Sequence, residues 1–184
     1  MKFEREHYIK KLINSKHNHL IKIVTGLRRV GKSYLLLNLY KQHLLDNGAD
    51  TSHIIEIKLD SFSHRKYRKA ETLYEYVENL TKQDSQMYYV IIDEVQMLED
   101  FVDVLNGFLH IDNLDVYVTG SNAKFLSSDI VTEFRGRGVQ IHLQPLSFKE
   151  IKESSSEDTS SLWRDYIYYG GLPMVVLEND KARK

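Results

Sequence analysis

The sequence contains no cysteine, so neither a disulfide framework nor a thiolate metal site belongs to its chemistry. It has no surplus of either charge: 25 Lys and Arg stand against 26 Asp and Glu, a formal net charge of −1. A chain so balanced has no global attraction to nucleic acid or to an anionic membrane, and any such contact needs a local patch. It also lacks a long hydrophobic run. The apolar blocks are strand-sized, well short of the ~20 residues that span a bilayer. The opening stretch "FEREHYIKKLI" is acidic and amphipathic, unlike a leader peptide. These absences make a soluble, cytoplasmic protein with no membrane partner the expectation.

What is present is enough for a sizeable core. The 184 residues are 42% hydrophobic and 28% charged, which suits one domain, or one domain and a fragment of another. A chain of this length buries roughly 70% of its unfolded surface. Apolar strand blocks alternate with helical periodicity. Tyr8, Ile9, Leu12 and Ile13 mark an opening helix. "LIKIVTG" (20–26), "HIIEIKL" (53–59), "MYYVIID" (87–93), "LDVYVTG" (114–120) and "GVQIHLQ" (138–144) read as five strands. Between them lie helical patterns over 33–46, with Leu36, Leu37, Tyr40 and Leu44 on one face, over 70–82, and from Leu98 to Phe108. Five strands separated by helices predict an α/β fold, a mostly parallel sheet covered on both sides. Ser147 and Glu150 form a capping box that starts a further helix. "ESSSEDTSS" (153–161) is linker-like, and no internal repeat is visible.

The chemistry is concentrated in "TGLRRVGKSYLL", where Gly26 and Gly31 are five apart and Lys32-Ser33 follows. This is a complete phosphate-loop pattern, set between a buried strand and a helix as the motif requires. Glycines allow positive φ and keep side chains away, so successive backbone N–H groups can face phosphate oxygens. The helix N-terminus adds partial positive charge. The loop from Gly26 through Arg28, Arg29, Val30, Gly31, Lys32, Ser33 and Tyr34 is therefore the candidate nucleotide site. Lys32 reaches the β and γ phosphates and the Ser33 hydroxyl ligates Mg²⁺. By chance the pattern occurs in on the order of one chain in a hundred of this length, before its strand and helix context is required. Arg28 and Arg29 either add charge at the phosphates or face outward; the sequence leaves both open.

"YYVIIDE" ends a buried strand in two carboxylates. A carboxylate there is costly unless a metal or cation meets it, which makes Asp93 a candidate Mg²⁺ ligand. Glu94 is placed to polarise an attacking water. The alternative is an acidic pair capping the next helix. In "VYVTGSN", Thr119, Ser121 and Asn122 can hold water or γ-phosphate, or make an ordinary turn. Arg135 and Arg137 in "EFRGRGVQ" are catalytic candidates or solvated charges.

Together these stretches make the chain resemble the AAA-type (additional-strand) P-loop ATPases. It is most similar to a prokaryotic group whose ATPase precedes a C-terminal restriction-nuclease-like domain of unknown function. "LIKIVTGLRRVGKS", "YYVIIDEVQ", "VYVTGSNAKFLSSDIVTEFRGR", "PLSFKE" and "YYGGLP" carry the resemblance. It implies a three-layer P-loop NTPase sandwich with strand order 5-1-4-3-2, ATP or ADP with Mg²⁺, and hydrolysis through Glu94. It implies Asn122 as polar sensor and Arg137, then Arg135, as the arginine finger acting on a neighbouring subunit. The partners it implies are nucleotide, a second copy of the chain and a C-terminal domain. The expected organisation is an ATPase core with its N-terminal helix over 1–152, a linker over 153–161, and the start of a helical lid, left incomplete at Lys184, over 162–184.

Other signals lead elsewhere. "HNH" at 17–19 is a contiguous triplet before the first strand, whereas the nuclease motif of that name is dispersed, and the remaining histidines lack metal spacing. "HRKYRK" (64–69) is the one basic cluster with an aromatic inside; a phosphate-backbone contact is conceivable, but a solvated loop is the simpler reading. The Asp-Glu pair and the Ser-Asn strand end fit water attack better than a small-molecule kinase, and "NAKF" lacks the aspartate of a guanine reader. Two classes of function remain: an ATP hydrolase, or a nucleotide-binding scaffold with negligible turnover.

Overall fold

The computed structural model describes residues 3–120, 134 and 136–178. Its centre is a five-stranded sheet built from β1 (Ile21–Gly26), β2 (Ile54–Lys58), β3 (Tyr88–Asp93), β4 (Leu114–Thr119) and β5 (Gly138–Leu143). The spatial order is β2-β3-β4-β1-β5 and every pairing is parallel. This is the order expected from the resemblance, read from the other edge. Parallel pairing demands crossovers, and these lay helices on both faces.

The alternation of side chains along each strand assigns the two faces. On one, Ile21, Ile23, Tyr88, Val90, Ile92, Val116 and Val118 meet Leu73 and Val77 of α3 (Ala70–Thr81) and Val104, Leu105 and Phe108 of α4 (Phe101–Phe108). On the other, Val24, Tyr89, Ile91, Tyr117 and Ile141 meet Leu12 of α1 (Glu6–Asn14) and the helical run α2 (32–46). A third cluster joins Phe3, Leu146, Ile151 and Leu162 where α5 (Phe148–Glu153) packs on α6 (Thr159–Tyr169). The capping box is present: Ser147 Oγ accepts from the Glu150 amide, and the Glu150 carboxylate accepts from the Ser147 amide at 2.8 Å. Within the linker-like stretch, Asp158 caps α6, which begins at Thr159.

One local departure matters for the site. The helix after the phosphate loop is not uniform: Lys32–Tyr34 is α-helical, Leu35–Tyr40 is a π-helix, and Lys41–Asp46 is α-helical again. The wider turn rotates the buried face, so that Leu35 is buried and the expected Leu37 is only half-buried. Tyr40, fully buried, places its hydroxyl 2.7 Å from that of Tyr117 on β4. Among the described residues, no helix is long and apolar enough to cross a membrane.

Candidate functional site

The C-terminal ends of β1, β3 and β4 lie side by side, and Lys32, Ser33, Asp93, Glu94 and Thr119 converge there. Gly26 closes β1 at φ +141, where a Cβ would stand 2.3 Å from the Leu143 carbonyl oxygen of β5. Only glycine lets the loop leave the strand this close to its neighbour. Gly31, at φ +99, leads directly into α2. Val30 is buried, while Arg28, Arg29 and Tyr34 are exposed, so the two loop arginines face outward.

Lys32 is only 5% exposed and folds back on its own loop, donating to the Gly26 carbonyl at 3.1 Å and the Leu27 carbonyl at 2.9 Å. Burial lowers its pKa below the usual lysine value, opposed by the nearby Glu94 and Asp93 charges. Ser33 Oγ donates to Asp93 Oδ1 at 2.8 Å. Asp93 is equally buried, and desolvation raises its pKa, with the Thr119 and Ser33 hydroxyls opposing the shift. Lysine and aspartate are thus both withdrawn from water at one site, each held by neutral groups.

Thr119 is expected from the sequence either to hold water or γ-phosphate or to make an ordinary turn; its position gives it a definite task. Its hydroxyl donates to Asp93 Oδ1 at 2.5 Å and accepts from the Glu94 amide at 3.0 Å. It thereby ties the two acidic residues to β4. Glu94 itself sits at φ 56, a left-handed conformation that a non-glycine residue adopts at a cost of order 1–3 kcal/mol. Its carboxylate accepts from Gln96 Nε2, and its charge acts on both Asp93 and Lys32. Gln96, present in the quoted "DEVQ" but not singled out, has its Oε1 buried with no hydrogen-bond partner among the described residues.

The "YGGLP" stretch also reaches this end. A Cβ on Gly171 would stand 2.0 Å from the Leu146 carbonyl oxygen, and the Leu146 N–H donates to the Gly171 carbonyl at 2.7 Å. This clamp starts α7 (Pro173–Leu177) beside the phosphate loop, with Pro173 Cγ 3.9 Å from where a Gly31 Cβ would be.

Arg137 is not brought to the site. It precedes Gly138, which pairs with Ile21 at the opposite end of β1, and its guanidinium is 3.4 Å from Asn106 Oδ1. Five residue steps along a strand, about 17 Å, separate it from the level of the phosphate loop. Asn122 and Arg135, with Ser121, lie outside the described residues.

A family model described as an AAA domain matches residues 18–152. The chain belongs to the AAA family. An uncharacterized protein of Haemophilus influenzae is 32% identical over 185 residues, covering 98% of this chain and 46% of that protein. Another, from Methanocaldococcus jannaschii, is 28% identical over 180 residues, covering 89% and 38% respectively. The chain spans less than half the length of either relative. AMPPCP-bound DnaA from Aquifex aeolicus superposes with a TM-score of 0.61 at 16% identity, covering 95% of this chain and 58% of that one. Hsp104 of S. cerevisiae, in its casein complex, gives 0.62 at 18%, covering 94% and 35%. At these identities the structural likeness speaks for the P-loop NTPase fold. Membership of the AAA family implies nucleotide binding.

Proposed function

We propose that the chain binds ATP with Mg²⁺ and hydrolyses it. The observation that carries this reading is the hydrogen bond from Ser33 to Asp93 beside the buried Lys32. Oxygen ligands of this kind, one carboxylate and one hydroxyl, suit Mg²⁺, which keeps several waters and shares phosphate oxygens. Nucleotide phosphates give Lys32 the anionic partner it lacks, in place of two carbonyls, and the loop N–H groups receive the rest. Glu94, held by Gln96, orients and polarises the attacking water, with Asn122 as a further polar contact. Mg²⁺ held by Ser33 and Asp93 would neutralise charge on the phosphates of the nucleotide.

The test is turnover. Glu94→Gln should keep ATP affinity and slow phosphate release by about 10²–10⁴-fold, the range for general acid–base catalysis. Equal turnover in variant and parent would leave Glu94 a structural residue and favour the scaffold reading, with partner binding or assembly as the output.

Assembly enters through Arg137. Its place at the far end of β5 supports action on a neighbour's nucleotide, where such a finger contributes 10³–10⁵ in rate. Arg135 is the second choice for that role. Mixing Arg137→Ala with Glu94→Gln protein should then restore activity that neither has alone, since each lacks a different half of a shared site. No recovery on mixing would return Arg137 to the surface role of a solvated charge. In this reading the stretch over 153–161 links the core to the start of a helical lid over 162–184, in a cytoplasmic protein that works with a second copy of the chain or a C-terminal domain.

A further inference from the structure

Gln96 is held more firmly than a loop side chain needs to be, yet its amide is only half used. It sits on the 3₁₀ turn Val95–Met97 that follows Glu94. Val95 and Leu98, which bracket it, are buried in the core. The Met97 amide donates to the Glu94 carbonyl at 2.9 Å and the Leu98 amide to the Val95 carbonyl at 3.0 Å, which closes the turn. Glu94, at its head, carries a left-handed backbone at φ 56, and its amide is held by Thr119. Strain of this kind persists where surrounding contacts over-determine it, and it gathers at active sites.

A glutamine amide has one carbonyl and two N–H donors. Here an N–H serves Glu94 Oε2, while Oε1 is buried without a hydrogen-bond partner among the described residues. A buried acceptor left unpaired is costly, and native structures keep few of them. Turning the amide over gives no relief, since the carbonyl would then face the carboxylate, acceptor against acceptor. What Oε1 calls for is a donor. Both polar atoms of the amide stand on one carbon, so that donor lies within one water's reach of the Glu94 carboxylate. The last torsion of a glutamine is soft, and a small rotation presents Oε1 to such a water while the N–H stays on Glu94. Glu94 is also close enough to Lys32 for its charge to act there, which puts these two acceptors beside the group assigned to the γ phosphate.

We propose that Gln96 is a catalytic residue whose Oε1 accepts a hydrogen bond from the attacking water, a role that rests on the hydrolytic reading of Glu94. Water has two hydrogens. With one on Glu94 and the other on Gln96, its lone pair is left to face the γ phosphorus, an orientation that neither acceptor imposes alone. As the water oxygen bonds to phosphorus, the bond to the β–γ bridging oxygen breaks and its electron pair leaves with ADP. One proton passes to the Glu94 carboxylate and then to solvent. The other stays on its oxygen as the hydroxyl of the phosphate product, released from Gln96. Nothing is oxidised or reduced, and no further reactant is needed.

The experiment compares the parent with Gln96→Met, Gln96→His and Glu94→Gln. Methionine matches glutamine in length and lacks both polar atoms, so nucleotide-free Gln96→Met should melt close to the parent. Its affinity for Mg²⁺, ADP and aluminium fluoride, a planar mimic of the phosphoryl group in flight with water in line, should fall about 10- to 100-fold, the worth of one hydrogen bond to a polarised group. Affinity for ADP with beryllium fluoride, a mimic of bound ATP, should stay parental, and turnover should fall by the aluminium fluoride factor. Neutral histidine keeps one donor and one acceptor, so Gln96→His should recover turnover above the ordinary histidine pKa of about 6.5. Below it both ring nitrogens donate, and the recovery should be lost relative to the parent. Equal loss with both fluorides, loss with neither, or a marked fall in the melting temperature of Gln96→Met would overturn the proposal. So would a histidine variant indifferent to pH, which would leave Gln96 a clasp that only donates to Glu94. If Glu94→Gln turns over like the parent, the hydrolytic reading fails and this role with it; if Glu94→Gln is slow and Gln96→Met is not, this role alone fails.

Discussion

Among the described residues two lysines and two aspartates are buried, one of each near either end of the sheet, and they are treated in opposite ways. At the N-terminal ends of β1 and β4, Lys22 and Asp115 form a direct ion pair, their side chains 0% and 3% exposed. Asp115 also accepts from the Tyr117 hydroxyl at 2.7 Å and the His17 amide at 3.1 Å, and Tyr117 is joined by Tyr40 of the π-helix. At the C-terminal ends, Lys32 and Asp93 are nearly as buried but touch only carbonyls and hydroxyls. A closed pair has nothing to offer a ligand. Charges kept apart and supplied with neutral partners can exchange these for a phosphate and a metal ion, at the cost of desolvation already incurred in folding. The same residue types thus build structure at one end and a binding site at the other.

Breaking the closed pair should give the largest effect on stability. Asp115→Ala strands the Lys22 ammonium and the His17 amide and leaves the Tyr117 hydroxyl with Tyr40 as its partner, a loss of about 3–5 kcal/mol for a buried pair with one member removed. A denaturant midpoint should fall accordingly, while protein that remains folded binds ATP with near-parental affinity. A small shift in midpoint would mean the two ends are less different than their geometry indicates.

The opposite sign is expected at the other end, with a smaller magnitude. Asn at position 93 still accepts from Ser33 and Thr119 but carries no charge, so Asp93→Asn should stabilise the nucleotide-free protein and remove the Mg²⁺ dependence of nucleotide binding. The pH dependence follows from the raised pKa of Asp93. Its contribution to stability is fully present below the ordinary carboxylate pKa and is lost as pH rises through the higher, folded-state value. The gap between variant and parent should therefore open as pH rises through that window, which melting temperatures across a pH series would read. A gap that is constant with pH would assign the effect to packing instead.

The contrast also marks what could be read from the chain. Strand blocks such as "YYVIID" are apolar on both faces and announce a buried parallel strand, and the phosphate loop declares itself through fixed spacing. The strand order came from the family resemblance, since periodicity says nothing about which strand neighbours which. Lys22, inside "LIKIV", gave no sign of its pairing with a residue 93 positions away. The π-helix was equally hidden, because the Tyr40–Tyr117 contact that accompanies it spans 77 positions. Thr119 was recognisable as a polar residue at a strand end, but only the adjacency of β3 and β4 shows that it connects Asp93 to the Glu94 amide. "YGGLP" entered only through the family resemblance; that it ends against the phosphate loop depends on the contact between Gly171 and Leu146.

The most direct test of the account is Lys32→Ala, followed by calorimetric titration with ATP in the presence of Mg²⁺. Lys32 donates only to carbonyls that lie beside the loop opening, so the variant should fold and melt close to the parent while its ATP affinity falls by at least about 100-fold, the loss of a buried charge-assisted contact. Parental affinity in well-folded Lys32→Ala protein would contradict the assignment of this end of the sheet as the nucleotide site.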